Sequence, residues 1–234
     1  MASSILHSRK RLRKLKFTNP KTVNAWIGVI SSVLLLAATV STAFCVFEAT
    51  LWSGHQAISY GQASAYRIES IRFSNIAVAQ TQIDAALFVD WISAVSNNNT
   101  ILADFLEARF REEFRPAFYA WLSVYKQEEG SIVQMQAYIP ASPFELPEYQ
   151  LETRKESDDY LKKAEEAFAE GTRANEINDK YISSTVFFAI VLFLTGIEPR
   201  WQKAKVKGAM TIAAVTIFVI AFFYILELPR LFIV

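Results

Sequence analysis

Three stretches of this chain, residues 24–51, 182–197 and 208–228, hold almost no charge, while the stretch between the first two holds 32 of the 47 charged residues. Nothing else in the sequence constrains the fold so strongly. About 20 apolar residues, rising 1.5 Å each, cross a hydrocarbon core about 30 Å thick. The first and third stretches meet that length, and the second, 16 residues, reaches it when Tyr181 and the upstream Ile177 extend it. The pattern predicts an all-α membrane protein with transmembrane helices at 24–52, 182–198 and 208–228. The first run is longer than the apolar part of a cleaved signal peptide, and Phe44 stands where a lipoprotein-type cleavage wants a small residue. It reads as an uncleaved anchor.

Cations beside the spans set their direction. Arg9, Lys10, Arg11, Arg13, Lys14, Lys16 and Lys21 precede the first span, Arg200, Lys203, Lys205 and Lys207 lie between the second and third, and only Arg230 follows the third. The expected topology is multi-pass in the plasma (inner) membrane. The basic arm 1–23 and loop 199–207 face the cytoplasm, and residues 53–181 and the tail 229–234 lie outside. Trp26 and Trp201 suit the inner interface, and Trp52, Tyr181 and Tyr224 the outer one. The basic arm reads as a contact for the lipid bilayer, not for nucleic acid, because no aromatic interleaving accompanies its cations.

Residues 53–181 carry 20 acidic and 12 basic side chains, a net charge of −8. No proline interrupts 54–94, and Ile68, Ile71, Asn75, Val78, Gln82, Ala85, Val89 and Ile92 recur in steps of three and four, which predicts a helix with that packing seam. The neighbouring face, Phe73, Ile76, Ile83 and Leu87, is the alternative core. A polar turn at 96–100 follows, with Thr100 as the expected N-cap. The second arm then carries Leu102, Phe105, Leu106, Phe110, Phe114, Phe118, Trp121, Leu122 and Tyr125 at helical spacing, kinked or restarted at Pro116 and ended at Gly130. Residues 131–149, with Pro140, Pro143 and Pro147, suit an extended segment in which Val133, Met135, Ala137 and Ile139 alternate.

From about residue 149 one helix is expected to run through the second span, its external part roughly 48 Å long. Ala164, Ala167, Gly171, Ala174 and Asn178 give it a narrow face that admits another helix closely. If the second arm returns toward the membrane, the extended segment must climb before the last helix descends. The expectation is a long extracytoplasmic stalk of three helices plus a Pro-containing extended crossover. So slender a body needs a homo-oligomer or a membrane-complex partner to cover its apolar stripes.

The run Ala174-Asn175-Glu176-Ile177-Asn178-Asp179-Lys180-Tyr181, with Ser184-Thr185-Val186-Phe187-Phe188-Ala189 and Leu192-Phe193-Leu194-Thr195-Gly196-Ile197, resembles a stretch in an uncharacterised prokaryotic three-span integral membrane protein family. The resemblance implies the same layout and a bacterial or archaeal origin. It supplies no catalytic residues.

One cysteine and two histidines exclude a Cys/His zinc cage and an intrachain disulfide, and seven glycines argue against Gly-rich phosphate loops. No metal site, cofactor or catalytic residue is expected, and no small-molecule ligand can be named. Glu48 and Glu227, near the outer bilayer boundary, are the candidate cation or proton sites; their plainer role is to reach the interface or to pair with Lys180 and Arg230. Asp84, Asp90, Asp104, Glu107, Glu112 and Glu113 would form an acidic vestibule if repeated around an oligomer, and a solvated face otherwise. Gly28 with Ser32, Ala37 with Ser41, and Ala209 with Ala213 are expected to pack helices closely. The expected function is non-enzymatic: an external stalk for self-association or partner binding, in a structural, sensory or accessory subunit. The alternative is a homo-oligomeric ion channel or permeation component.

Overall fold

The computed structural model describes residues 20–128 and 142–231, with side chains over 24–124 and 142–231. The described chain is helical: α1 (Pro20–Ser96), α2 (Thr100–Glu107), α3 (Arg115–Glu128), α4 (Glu152–Ile197) and α5 (Ala204–Glu227), with 3-10 turns at Pro143–Glu145 and Glu198–Arg200 and no strand among the described residues. α1, α4 and α5 are each long and apolar enough to cross a membrane. The chain forms two compact units, one of Met1–Ala57 with Thr172–Val234, the other of Ile58–Gly171. Expectations for residues 1–19, 129–141 and 232–234 lie outside the described residues.

The first unit holds three helical segments; α1 and α5 turn mainly small side chains inward, around a core that α4 fills with Tyr181, Phe188 and Val191. α1 turns Ser31, Ala38, Ser41, Cys45 and Ala49 inward, α5 turns Thr211, Ala214 and Ala221 inward, and Val33, Leu36, Val40, Phe193, Ile212, Ile220 and Phe223 point out. A water-soluble bundle does the reverse, whereas helices in lipid gain by close backbone approach and lose nothing by exposing aliphatics. Hydroxyls in these segments are satisfied by their own helices: Thr42 Oγ1 donates to Ala38 O at 2.8 Å, Ser184 Oγ to Lys180 O at 2.8 Å, and Thr195 Oγ1 to Val191 O at 2.8 Å. Of the expected packing pairs, Ser41 is buried and Ala37 partly so. Gly28, Ser32, Ala209 and Ala213 are exposed, because the inward stripes of α1 and α5 run instead through Ser31 and Leu34 and through Thr211 and Ala214.

In the second unit α1 and α4 pair antiparallel. Tyr60 meets Phe168, Ser70 meets Ser157, Phe73 stacks on Tyr160, and Gln80 accepts a hydrogen bond from Thr153. The α1 face turned inward is Ala63, Tyr66, Ser70, Phe73, Ala77, Gln80, Asp84, Leu87, Trp91 and Ala94, a three-and-four alternation that matches neither expected seam. Ile68, Ile71, Asn75, Val78, Gln82, Val89 and Ile92 are exposed and Ala85 is half-buried; in the alternative face Phe73 and Leu87 are partly covered but Ile76 and Ile83 are exposed. Small side chains decided this. Ser157 Oγ reaches Ser70 O at 3.0 Å, an approach that a column of isoleucines would prevent.

The second arm also departs from expectation. Asn99, not Thr100, caps α2, its side chain accepting Leu102 N–H at 3.1 Å, and Asn98 takes φ 55° in the tight turn before it. Between α2 and α3 the chain reverses through turn hydrogen bonds such as Phe114 N to Arg111 O at 3.0 Å, and Pro116 stands in the first turn of α3, where its missing N–H costs nothing. The reversal brings Tyr119 Oη to Glu107 at 2.9 Å. Phe110, Phe114, Phe118 and Trp121 then pack with Phe88 and Trp91, the distal turns of α1. Thus α2 and α3 form an aromatic cap against the end of α1, and among the described residues α4 alone pairs along its middle. The expected third stalk helix is corrected accordingly, and the expected crossover lies mostly outside the described residues.

Gly171 on α4 is buried, and a Cβ there would stand 2.5 Å from the Tyr60 ring. Gly171→Ala is expected to destabilise the protein by about 1–3 kcal/mol through overpacking, and Tyr60→Ala in the same chain is expected to cancel most of that increment. Thermal unfolding in detergent of the two single variants and the double variant measures it; additive losses would show that the contact is not the cause.

Candidate functional site

Among the described residues two carboxylates are fully buried, one in each unit, and each keeps one oxygen without a hydrogen-bond partner there: Glu48 Oε1 and Asp84 Oδ1. A buried acid that is only half satisfied is costly, so what holds it there identifies a site.

Glu48 lies on α1 in the first unit, and its Oε2 accepts the backbone N–H of Leu231 at 3.1 Å. Leu228 at the end of α5 takes extended angles, φ −72° and ψ 142°, as a residue before proline should. The chain then crosses back over the helices: Trp52 Nε1 and Tyr181 Oη both donate to Pro229 O at 3.2 Å, and the Arg230 guanidinium lies 5.8 Å from the centre of the Phe44 ring. Residues 228–231 therefore form a strap over α1 and α4, with Glu48 as its anchor. Glu227 is exposed and does not join Glu48. Near the other end of the same helices, buried Glu198 lies 3.6 Å from Lys207 Nζ.

Asp84 on α1 pairs through Oδ2 with Arg111 at 3.0 Å and accepts from Tyr149 Oη at 3.0 Å. Arg111 also pairs with Glu113, whose Oε1 accepts the N–H of Glu152 at 3.1 Å. Glu113 thereby caps the first turn of α4 from a distant loop, where the free N–H groups and the helix dipole favour an anion. The network joins α1, the α2–α3 reversal, the segment before α4, and α4 itself. Burial pushes the Asp84 carboxyl above its ordinary value, against the opposing pull of the Tyr149 hydroxyl and the Arg111 cation. Burial likewise pushes the Tyr149 phenol up to about 12.

The expected vestibule acids are not brought together as one. Asp84 is sealed from water, Glu113 is spent on Arg111 and α4, Glu107 accepts from Tyr119, and only Asp90, Asp104 and Glu112 are fully exposed. Two open depressions flank the cap; one is lined by Asp90, Ser93, Asn97, Asn99, Leu102 and Leu106, the other by Asp104, Glu107, Arg115 and Tyr119. Ala164, Gly171 and Ala174 are buried on the inward face of α4, with Ala167 and Asn178 half-buried on it. No three His, Cys, Asp or Glu side chains converge as a metal site among the described residues. Sequence reasoning missed Arg111 and Tyr149, which are distant from Asp84 in the chain, and the strap, for which Pro229 was the available signal.

No protein-family model, curated protein or solved structure matches the chain.

Because the Asp84 value is raised on folding, the folded protein binds that proton more tightly than the unfolded chain. Its contribution is most favourable below the ordinary value of 3.8 and is lost as pH rises through and above it. Asp84→Asn is expected to remove this slope, so that the stability difference between wild type and variant moves against wild type from pH 3 upward; a flat difference sinks the assignment. In the strap, Glu48→Gln keeps an acceptor for Leu231 N–H and is expected to cost under about 1 kcal/mol, whereas Glu48→Ala is expected to cost about 1–3 kcal/mol. Equal losses in detergent unfolding would mean that the charge of Glu48, not its acceptor, is what matters.

Proposed function

We propose that this chain is a non-enzymatic multi-pass protein of the plasma (inner) membrane, whose external helical stalk, residues 53–181, mediates self-association or partner binding as a structural, sensory or accessory subunit. Its N-terminus and the 199–207 loop are cytoplasmic, and its C-terminal strap is outside. The three long apolar helices and the aliphatic side chains that α1 and α5 turn outward support a lipid setting, and the eleven cations flanking the spans support the direction.

One observation carries the binding function. The second unit has net acidity and polar turns, yet it exposes Ile68, Ile71, Val78, Ile83, Val89 and Ile92 along α1, and Ile101 and Phe105 at its cap. Exposed apolar area of this extent, outside any span, marks an interaction surface. The channel alternative draws less support: Glu48 holds the strap, Glu227 is apart from it, and Asp84 is internal.

A single-cysteine chain tests the direction. In a Cys45→Ala background, Ser74→Cys is expected to react with a membrane-impermeant maleimide added to intact spheroplasts, and Lys203→Cys only after permeabilisation. The reverse pattern overturns the topology and the external binding role with it. Detergent-solubilised protein is expected to behave as an assembly larger than the 26.5 kDa chain.

A further inference from the structure

We propose that the exposed α1 stripe between residues 68 and 92 is the pairing face for a second copy of this chain, parallel and in register, with Asn75 meeting Asn75 and Gln82 meeting Gln82 across the seam. This rests on the reading of the second unit as an interaction domain and names its partner.

Charge is the first argument. From residue 73 to residue 89 the only charged side chain is Asp84, which is buried and paired with Arg111. A solvated helix face carries charges, and this one carries none over four turns. The cations just below are already engaged within the chain, Arg72 with Glu69 at 2.8 Å and Arg67 over the Phe168 ring at 5.3 Å. Over residues 73 to 89 two such faces can therefore meet without burying a free charge.

Periodicity is the second. Ile68, Asn75, Gln82 and Val89 repeat every seven residues, and Ile71, Val78, Ala85 and Ile92 form the second column, the two-column seam of a coiled coil. α4 and the cap occupy a different face of α1, and among the described residues nothing packs along this second seam. The two amides sit in the same column. In a parallel in-register pair each meets its own copy and can hydrogen-bond; in an antiparallel pair the columns exchange, and each amide faces an aliphatic residue or Ala85. An unrelated apolar partner would leave both amides unpaired.

Area is the third. The stripe's aliphatic side chains, 38 to 66% exposed, offer on the order of 400 Å² per copy. That is about half of the roughly 800 Å² that a standard interface buries on each side, and Asn75, Gln82 and the small flanking Ala79 and Ala86 enlarge it.

Disulfide trapping in native membranes tests the proposal in the Cys45→Ala background. Asn75→Cys and Gln82→Cys are each expected to give covalent dimer on mild oxidation, at least fivefold more than Ile83→Cys on the flank. Adding Asn75→Lys to the Gln82→Cys chain is expected to lower its dimer at least tenfold. Equal trapping at residues 82 and 83, or trapping only between non-equivalent positions in co-expressed chains, overturns the pairing. The outcomes separate from the topology as well. Absence of trapping with Asn75→Cys labelled from outside overturns the pairing but leaves the domain external, whereas labelling from the cytoplasmic side alone overturns the topology. A residue 75 cysteine shielded from maleimide without trapping means that another partner covers the face, and this also overturns the pairing.

Discussion

The close approach of α1 and α4 is the contact on which the remainder of the structure depends. In the first unit Ala38, Ala49 and Ala174 stand at the inner faces, and in the second Ala63, Ser70, Ala77, Ser157, Ala164 and Gly171 do. Small side chains let the backbones come near enough for Ser157 to reach the Ser70 carbonyl. They also dictate where the large side chains go. Aromatic rings pack beside them, as Tyr160 does against Tyr66 and Phe73, and many branched aliphatics of α1 are turned outward. In lipid that exposure costs nothing; in water it leaves a face to be covered.

The buried carboxylates are a consequence of the same economy of space. A helix presenting small residues inward has few side chains able to fasten a crossing segment, and a carboxylate reaching a backbone N–H does so at one position. Glu48 holds Leu231 in this way and Glu113 holds Glu152, while Asp84 gathers Arg111 and Tyr149 behind it. Each joins segments far apart in the chain. Glu48, expected as a cation or proton site, and Asp84 and Glu113, expected in an acidic vestibule, instead fasten segments, the first two fully buried and Glu113 partly exposed, and a fastener's worth lies in the penalty of leaving its partner unpaired.

Much of the helical content was legible before any contact was known. The three apolar stretches, the polar turn at 96–100, the restart at Pro116 and the narrow face through Ala164 and Gly171 each follow from local rules of length, capping, proline geometry and side-chain size. The face that α1 buries was not legible. Ile68, Ile71, Val78 and Val89 are the more hydrophobic column, and hydrophobicity alone selects them, yet Ser70, Ala77 and Asp84 are inside. Helical periodicity reports that faces exist without saying which partner is available. The path of the second arm was hidden for a related reason: a break at 108–114 can bend, continue or reverse, and only the meeting of Arg111 with Asp84 and of Tyr119 with Glu107 selects reversal.

By itself the amino-acid sequence determined that the chain is helical, which three stretches are apolar enough to cross a membrane, and which flanks carry positive charge, because these depend on the lengths and charges of contiguous residues. Tertiary structure alone decided which stripe of α1 is core, that α2 and α3 cap its end, and that Glu48 and Asp84 are sealed and tied to Leu231 and Arg111. Those outcomes turn on contacts between residues tens to nearly two hundred positions apart, whose energy exists only once the helices are packed.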